Sequence, residues 1–422
     1  MIVHSEPWKP ERIDDDALLD LVQRQTFRYF WDYAHPNCGL ARDRGNPDRT
    51  TGNDLISIGG TGFGVMAIIV AAERGWIERR EAIERLAAML GFLDTAEQYN
   101  GVFPHYIDGN TGREISLWSD NAGADVVETA YLVQGLLCAR QYFKDGDPSE
   151  RALAAKIDAL WRAVNWQAHV ENDNIMLWHW LPTKEHQAFQ RIEGWNECLI
   201  TYVLAAMSPT YPVDARPYHE GWARGKVFRN GRTYYGIDLP LGPDLGGPLF
   251  FAHYSFLGLD PNGLRDRYAD YWQQNHAQTM VNYSYCVSNP NGFAGYGPKC
   301  WGLTASEGDK GYRAFAPDQD EGVIAPTAAL SSLPYTPAHS LAALRHFYFD
   351  LGPRIWGQFG FADSFNETVG WVAEDNLAIN QGPIIAMIEN YRSGLLWRLF
   401  MSCPEVKPGL EVLGFTAEPL VA

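Results

Sequence analysis

The chain has 422 residues, 46% of them hydrophobic and 20% charged, so it is expected to form one globular domain over 1–422 with a sizeable core. No segment approaches the roughly 20 uninterrupted apolar residues of a membrane span. A net charge of -17 disfavours nucleic acid and anionic membranes as partners and leaves neutral ligands open.

The N-terminus MIVHSEPWKPERIDDD lacks the charged-then-apolar pattern of a signal peptide. That fits a cytoplasmic protein, or a periplasmic one whose leader has been removed. Apolar spacing at Leu18, Leu19, Val22, Thr26, Tyr29 and Phe30 then predicts a first helix within 15–34. Further helical patterns follow at 61–74, 79–99, 122–143, 149–165, 195–207, 214–224, 247–257, 263–281, 325–332, 337–349 and 381–400. Asp147-Pro148 and Thr336-Pro337 supply start signals. The even-numbered members, such as GTGFGVMAIIVAA and DVVETAYLVQGLL, are small-residue-rich and apolar all round, which marks buried helices. The odd-numbered members carry one polar face. Twelve helices alternating inner and outer predict an all-α fold, an (α/α)6 toroid of six hairpins. Long loops at 35–60, 100–121, 166–194, 225–246, 282–324 and 350–380 would gather at one end as a binding mouth. VFRNGRTYYGI within them reads as a β-hairpin turning at Asn230-Gly231.

Aromatic content is high, at 13% with 15 Trp and 21 Tyr. Trp118, Trp178, Trp180, Tyr296 and Trp301 lie in loop-like segments, where exposed rings would suit the apolar faces of sugars. The six cysteines, Cys38, Cys138, Cys198, Cys286, Cys300 and Cys403, form no CxxC pair and are expected as buried free thiols. Cys286 and Cys300 flank one loop and offer a pair if the protein is exported.

Glycoside hydrolysis needs two carboxylic groups across the scissile bond. The informative carboxylates are those at the start of a buried helix, where charge is costly. Asp125 and Glu128, spaced i, i+3, are predicted on one helix face, with Asp120 as the cap. They serve either catalysis or a structural hydrogen-bond hub. Glu197, predicted in the first turn of a buried helix beside Trp195, reads as a desolvated general acid or as a cap. Asp363 is the candidate opposing base, with Asn366, Glu374 and Asp375 nearby. Arg42, Arg44 and His105 read as hydroxyl-binding or carboxylate-orienting groups. Trp118, Asp120, Trp195, Tyr296, Trp301, Glu307, Asn366 and Gln381 complete the expected sugar-binding set, each with a scaffold alternative. GxSxG, Walker A and HExxH motifs are missing and the eleven His are dispersed, so no metal or cofactor is expected.

The stretches QRQTFRYFWDYAHP, SIGGTGFGVMAI, DVVETAYLVQGLL, GWNECLITYVLAAMSPT, YGPKCWGLTASEGDKGY, IAPTAALSSLPYTPAHSLAALRHFY and WGQFGFADSFNETVGW, then INQGPIIAMIENYRSGLLW, span about 20 to 398. Taken in order, they resemble the glycoamylase-like family, which includes β-1,2-glucan hydrolases. The resemblance implies an (α/α)6 barrel and inverting cleavage of β-1,2-glucan or its oligosaccharides, with sophorose as the disaccharide unit. It also implies roles for Asp125, Glu128 and Glu197. The chain departs from the family pattern at Asn380, where Asp is expected. Transfer of β-1,2-glucosyl units between sugars, or glucan binding without chemistry (which Asn121 and Asn380 would fit), are the alternatives.

Overall fold

The computed structural model describes residues 13–46, 48, 53–117, 122–181 and 190–417. Among them are thirteen α-helices: α1 Asp15–Trp31, α2 Ile58–Glu73, α3 Arg79–Leu93, α4 Val126–Phe143, α5 Pro148–Ala163, α6 Leu199–Met207, α7 Tyr271–Ser288, α8 Pro326–Leu330, α9 Pro337–Arg345, α10 Gly352–Ile355, α11 Ala378–Arg392, α12 Leu395–Met401 and α13 Val406–Val412. The fold is helix-rich, and its strands are short antiparallel pairs in the loops. No described helix is long and apolar enough to cross a membrane. All six cysteines are buried free thiols.

Local chemistry sets the helix starts. Asp14 caps α1 through Ala17 N, and Asp147 caps α5 in a reciprocal arrangement with Glu150, with Pro148 at the first helical position. α1 and α5 bury one stripe, whereas α2 is buried continuously from Ile58 to Ala71 and α4 almost throughout. α4 packs against α2 on one side and α6 on the other, while α11 packs between α2 and α8. Close approach of α2 and α4 depends on two glycines. A Cβ on Gly62 would stand 2.2 Å from Tyr131 O, and one on Gly135 would stand 2.1 Å from Gly62 O.

Four predicted helices differ in form. The stretches 214–224 and 247–257 contain only short helical turns, at Pro217–Arg224 and within Leu249–Phe256. Gly246 and Gly247 adopt positive φ and Pro248 follows, so no regular helix can run through that start. The seventh helix begins at Tyr271, where Asp270 caps it, and not near 263. The last predicted helix breaks at Gly394, whose left-handed φ of 67° separates α11 from α12. The hairpin 229–241 is present, but its turn is Tyr235-Gly236, both at positive φ as a type I′ turn requires. Asn230-Gly231 instead forms an irregularity in the first strand, at the register shift between Arg229 and Arg232.

The loop strands lace helix starts together. Leu55–Ser57, leading into α2, pairs with Tyr106–Asp108; Ala124–Asp125, leading into α4, pairs with His179–Trp180. Arg44–Gly45 pairs with Asn376–Leu377, which leads into α11 and so ties the first long loop to the last. These ladders hold the N-terminal ends of α2, α4 and α11, and the site lies there.

A Gly135→Ala variant should lower the urea-unfolding midpoint. Forcing α2 and α4 apart costs about 1–3 kcal/mol, more than the roughly 1 kcal/mol that alanine gains over glycine in a helix. A raised midpoint would show that the two backbones do not meet there.

Candidate active site

Asp125 is fully buried and is itself the cap of α4. It therefore stands one residue outside the helix, rather than sharing a helix face with Glu128. Its Oδ1 accepts from Val127 N (3.0 Å) and Glu128 N (2.9 Å). Around Oδ2 lie His105 Nδ1 at 2.7 Å, His179 Nε2 at 3.0 Å and Trp178 Nε1 at 3.3 Å. Burial opposes ionisation, but His179 and His105 outweigh it and hold the Asp125 carboxyl well below the ordinary carboxylate range. His105, Asp125 and His179 are a group whose donor atoms lie within 4.8 Å of one another, close enough to hold a metal ion. His105 hydrogen-bonds Asp125 directly, and His179 approaches the same oxygen.

One turn on, Glu128 reaches across to α2. Its Oε2 accepts from Gly59 N at 2.7 Å, and a Cβ at residue 59 would stand 2.6 Å from that oxygen. His105 Nε2 lies 3.8 Å from Glu128 Oε1, so the imidazole bridges two buried carboxylates while its side chain keeps 24% exposure. Burial raises the Glu128 pKa. Burial also works against a charged His105, but Glu128, Asp125 and Asp43 prevail and push it up to about 9.

A second carboxylate group comes from the loops before α8 and α11. Asp363 is buried; its Oδ1 accepts from Asn380 Nδ2 (2.8 Å) and its Oδ2 from Glu307 N (2.8 Å). Burial lifts its pKa to about 7 against the pull of these two donors. Ser364 Oγ donates to Glu307 O at 2.6 Å, which fixes the Glu307 backbone from both sides. Arg44 donates from Nε to Asp43 Oδ2 at 2.8 Å and pairs with the Glu307 carboxylate. Asn380 thus supplies a donor that an aspartate there would lack.

Glu197 sits in a turn just ahead of α6, two residues before Leu199, not within the helix. Burial raises its pKa to about 7, with smaller contributions from Glu128 and Asp125. The neighbouring indole faces the other way. Trp195 is buried, stacks on Trp222 at 5.7 Å and donates to Gln278 Oε1 at 3.3 Å. The hydroxyls of Tyr131 and Tyr254 are buried within the fields of Glu197 and Glu128, and Tyr254 within that of Asp363 as well. Carboxylates from three separate segments therefore act on shared tyrosines.

Several of the expected sugar contacts have partners within the protein. Arg42 donates to the main-chain oxygens of Asn53 (2.8 Å), Tyr33 and Ala34, tying loop to loop. Trp301 is fully buried, with its Nε1 toward His339 O at 3.4 Å. Tyr296 OH donates to Asp320 Oδ1 at 2.7 Å. Asn366 is buried and donates to Asp309 Oδ1 and Glu321 O, both at 3.2 Å. Gln381 is buried on α11 and holds Phe359 O at 3.2 Å. Glu374 is exposed, and Asp375 accepts from Asn46 Nδ2 at 2.7 Å. Trp118, Asp120 and Asn121 lie outside the described residues. Sequence reasoning missed Asp43, Tyr106, Tyr131, His179, Tyr254 and Tyr312. Only Asp43, between Arg42 and Arg44, had a local signal; the others needed the fold.

His105 makes the site pH-sensitive in stability. Its folded pKa of about 9 lies above the unfolded value of 6.5, so its contribution is complete below 6.5 and is lost as pH rises through about 9. His105→Gln should therefore destabilise most below pH 6.5 and progressively less toward alkaline pH, as read by denaturant unfolding across that range. A pH-independent penalty would rule out an imidazolium there.

Residues 190–404 match the Glycoamylase family model, described as "Putative glucoamylase". A solved Bacteroides uniformis protein of the same description is 52% identical, with a TM-score of 0.94, over 97% of this chain and 99% of that one. The endo-β-1,2-glucanase of Chitinophaga pinensis, solved with sophorotriose and glucose, is 48% identical with a TM-score of 0.93, covering 96% of this chain and 99% of that one. An exo β-1,2-glucooligosaccharide sophorohydrolase of Parabacteroides distasonis is 44% identical over 94% of this chain; the chain spans 58% of that relative's length. With a match across half its length and near-complete coverage of solved relatives at this identity, the chain belongs to the glycoamylase family.

Proposed function

We propose that this chain is a glycoside hydrolase that cleaves β-1,2-glucan or β-1,2-glucooligosaccharides by an inverting, two-carboxylate mechanism. The carrying observation is the pair Glu197 and Asp363, each lifted by burial to about 7 yet differently supported. Asp363 receives two hydrogen-bond donors, which suit an ionised carboxylate accepting a proton from water. Among the described residues no such pair of external donors meets Glu197, and burial favours its protonated form, which suits proton delivery to the leaving oxygen. Asp125, Glu128 and His105 would hold the sugar and the site's charge balance beside them. The β-1,2 linkage rests on the relatives, which include both an endo-acting and an exo-acting enzyme.

The architecture we infer is a single (α/α)6 toroid with α2, α4, α6, the turns at 249–256, α8 and α11 as the inner ring. The neighbour relations of α2, α4 and α6 and of α8, α11 and α2 support it, as does the strand pair joining the first long loop to the last. The laced loop end is then the mouth of the cleft.

Incubation with linear β-1,2-glucan and with sophorooligosaccharides tests the activity. A ladder of products indicates internal cleavage, and sophorose or glucose alone from the start indicates action at chain ends. Lengthened oligosaccharides in the presence of an acceptor sugar would favour transfer, and unchanged substrate would defeat the proposal. Glu197→Gln and Asp363→Asn should each remove at least ~10²-fold of kcat. In the parent enzyme kcat/KM should fall above about pH 7 as Glu197 deprotonates, and below it as Asp363 protonates. Asn380→Asp, placing a second carboxylate against Asp363, should move the acidic limb to higher pH. Near-normal turnover in Glu197→Gln would remove it from the acid role.

A further inference from the structure

The loop before α8 contains a short hairpin in which Ala305–Ser306 pairs with Arg313–Ala314. Both of its arms are anchored. Glu307 is held through its main chain by Asp363 and Ser364 and through its carboxylate by Arg44. Arg313 and Lys310 both clasp the Glu321 carboxylate, at 2.7 and 3.2 Å. Gly308 leans on the Phe315 ring, where a Cβ would stand 2.7 Å from Cζ. Between these anchors Tyr312 keeps 42% of its surface exposed.

This exposed ring stands beside the carboxylate site. The Arg44 guanidinium lies over the Tyr312 ring, 5.6 Å from its centroid, and the same arginine binds Asp43 and Glu307. Asp363 is one hydrogen bond further, through Glu307 N. The Tyr312 phenol also lies within the fields of Asp363, Asp43 and Glu197, the first and last being the carboxyls of the proposed acid–base pair. Arg44 covers one face of the ring, and the rest of its surface remains exposed. A tyrosine is well suited to such a place: it offers a large rigid apolar area with only two rotatable side-chain bonds to immobilise.

We infer that Tyr312 is a substrate-binding residue whose uncovered face carries the apolar face of a glucosyl ring, seating that ring between Glu197 and Asp363. The inference rests on the carbohydrate reading above. Burial of ring carbons against the phenyl face supplies the attraction, and the anchored hairpin keeps the platform in place before the sugar arrives.

Steady-state kinetics on a short β-1,2-glucooligosaccharide test it, with Tyr312→Phe, Tyr312→Leu and Tyr312→Ala beside the parent enzyme. Tyr312→Phe should keep KM and kcat within about twofold, while Tyr312→Ala raises KM about tenfold or more, ~1.4 kcal/mol of binding. Tyr312→Leu should fall between them, and it replaces the alanine variant if that one unfolds. The pH profile should stay where it is in all three. A purely structural hairpin residue would instead disturb the Glu307–Asp363 hydrogen bond and shift the acidic limb. An unchanged KM in the alanine variant overturns the inference, as does a phenylalanine variant as weak as the alanine one. If the parent enzyme turns over the oligosaccharide in those cases, the carbohydrate reading survives. If the parent shows neither product nor heat of binding, both fall.

Discussion

The contact on which the site depends is the near-touch of two helix backbones. Because Gly62 and Gly135 have no Cβ, α2 and α4 pack close enough for Glu128 on one helix to accept a hydrogen bond from Gly59 N on the other. The carboxylate is thereby satisfied by a main-chain donor while buried, and the charge stays where a larger residue at either glycine would have displaced it. His105, supplied by the loop between them, then bridges Glu128 and Asp125. Two acids and one imidazole share a small volume, an arrangement that burial tolerates better than two bare carboxylates.

The opposite side of the site uses another device for the same difficulty. Among the described residues no cation contacts Asp363 directly. Its ionised form is supported by an amide side chain and a main-chain N–H. Arg44 acts one bond away, holding Glu307 and Asp43. The two sides therefore differ in character. Around Asp125 strong charge pairing holds the carboxyl ionised, while at Asp363 and Glu197 burial dominates and the pKa values rise toward neutrality. Groups locked as ions cannot exchange protons at moderate pH, whereas carboxyls held near neutrality can.

Much of the helical framework was readable along the chain. Continuous apolar stretches such as Ile58–Ala71 have no other stable placement than the interior, and Asp-Pro and Thr-Pro signals marked helix starts. The misreadings arose where glycine and proline act together. Gly246, Gly247 and Pro248 fragment what looked like a helix, and Gly394 splits the last one. Asn230-Gly231 carries a strong turn signal, yet tertiary pairing makes Tyr235-Gly236 the turn. Aromatic residues in loop-like sequence proved the least informative: Trp195 and Trp301 serve the core, because a large ring in a Gly- and Pro-rich segment is as well placed to pin a loop down as to meet a ligand.

By itself the sequence determined the helix-rich class, the buried character of alternate helices, and Asp125, Glu128, Glu197 and Asp363 as the carboxylates to watch. These follow from local periodicity and from the cost of placing charge in apolar surroundings, both of which act over a few residues. Only the tertiary structure decided what surrounds each carboxylate. Whether Asp125 caps or titrates, and whether Asn380 impairs Asp363 or supports it, depends on donors far away in the chain. Those donors, His105, His179, Glu307 and Asn380, arrive through the laced loops. A pKa belongs to the assembled surroundings of a group, and no span of sequence shorter than the fold contains them.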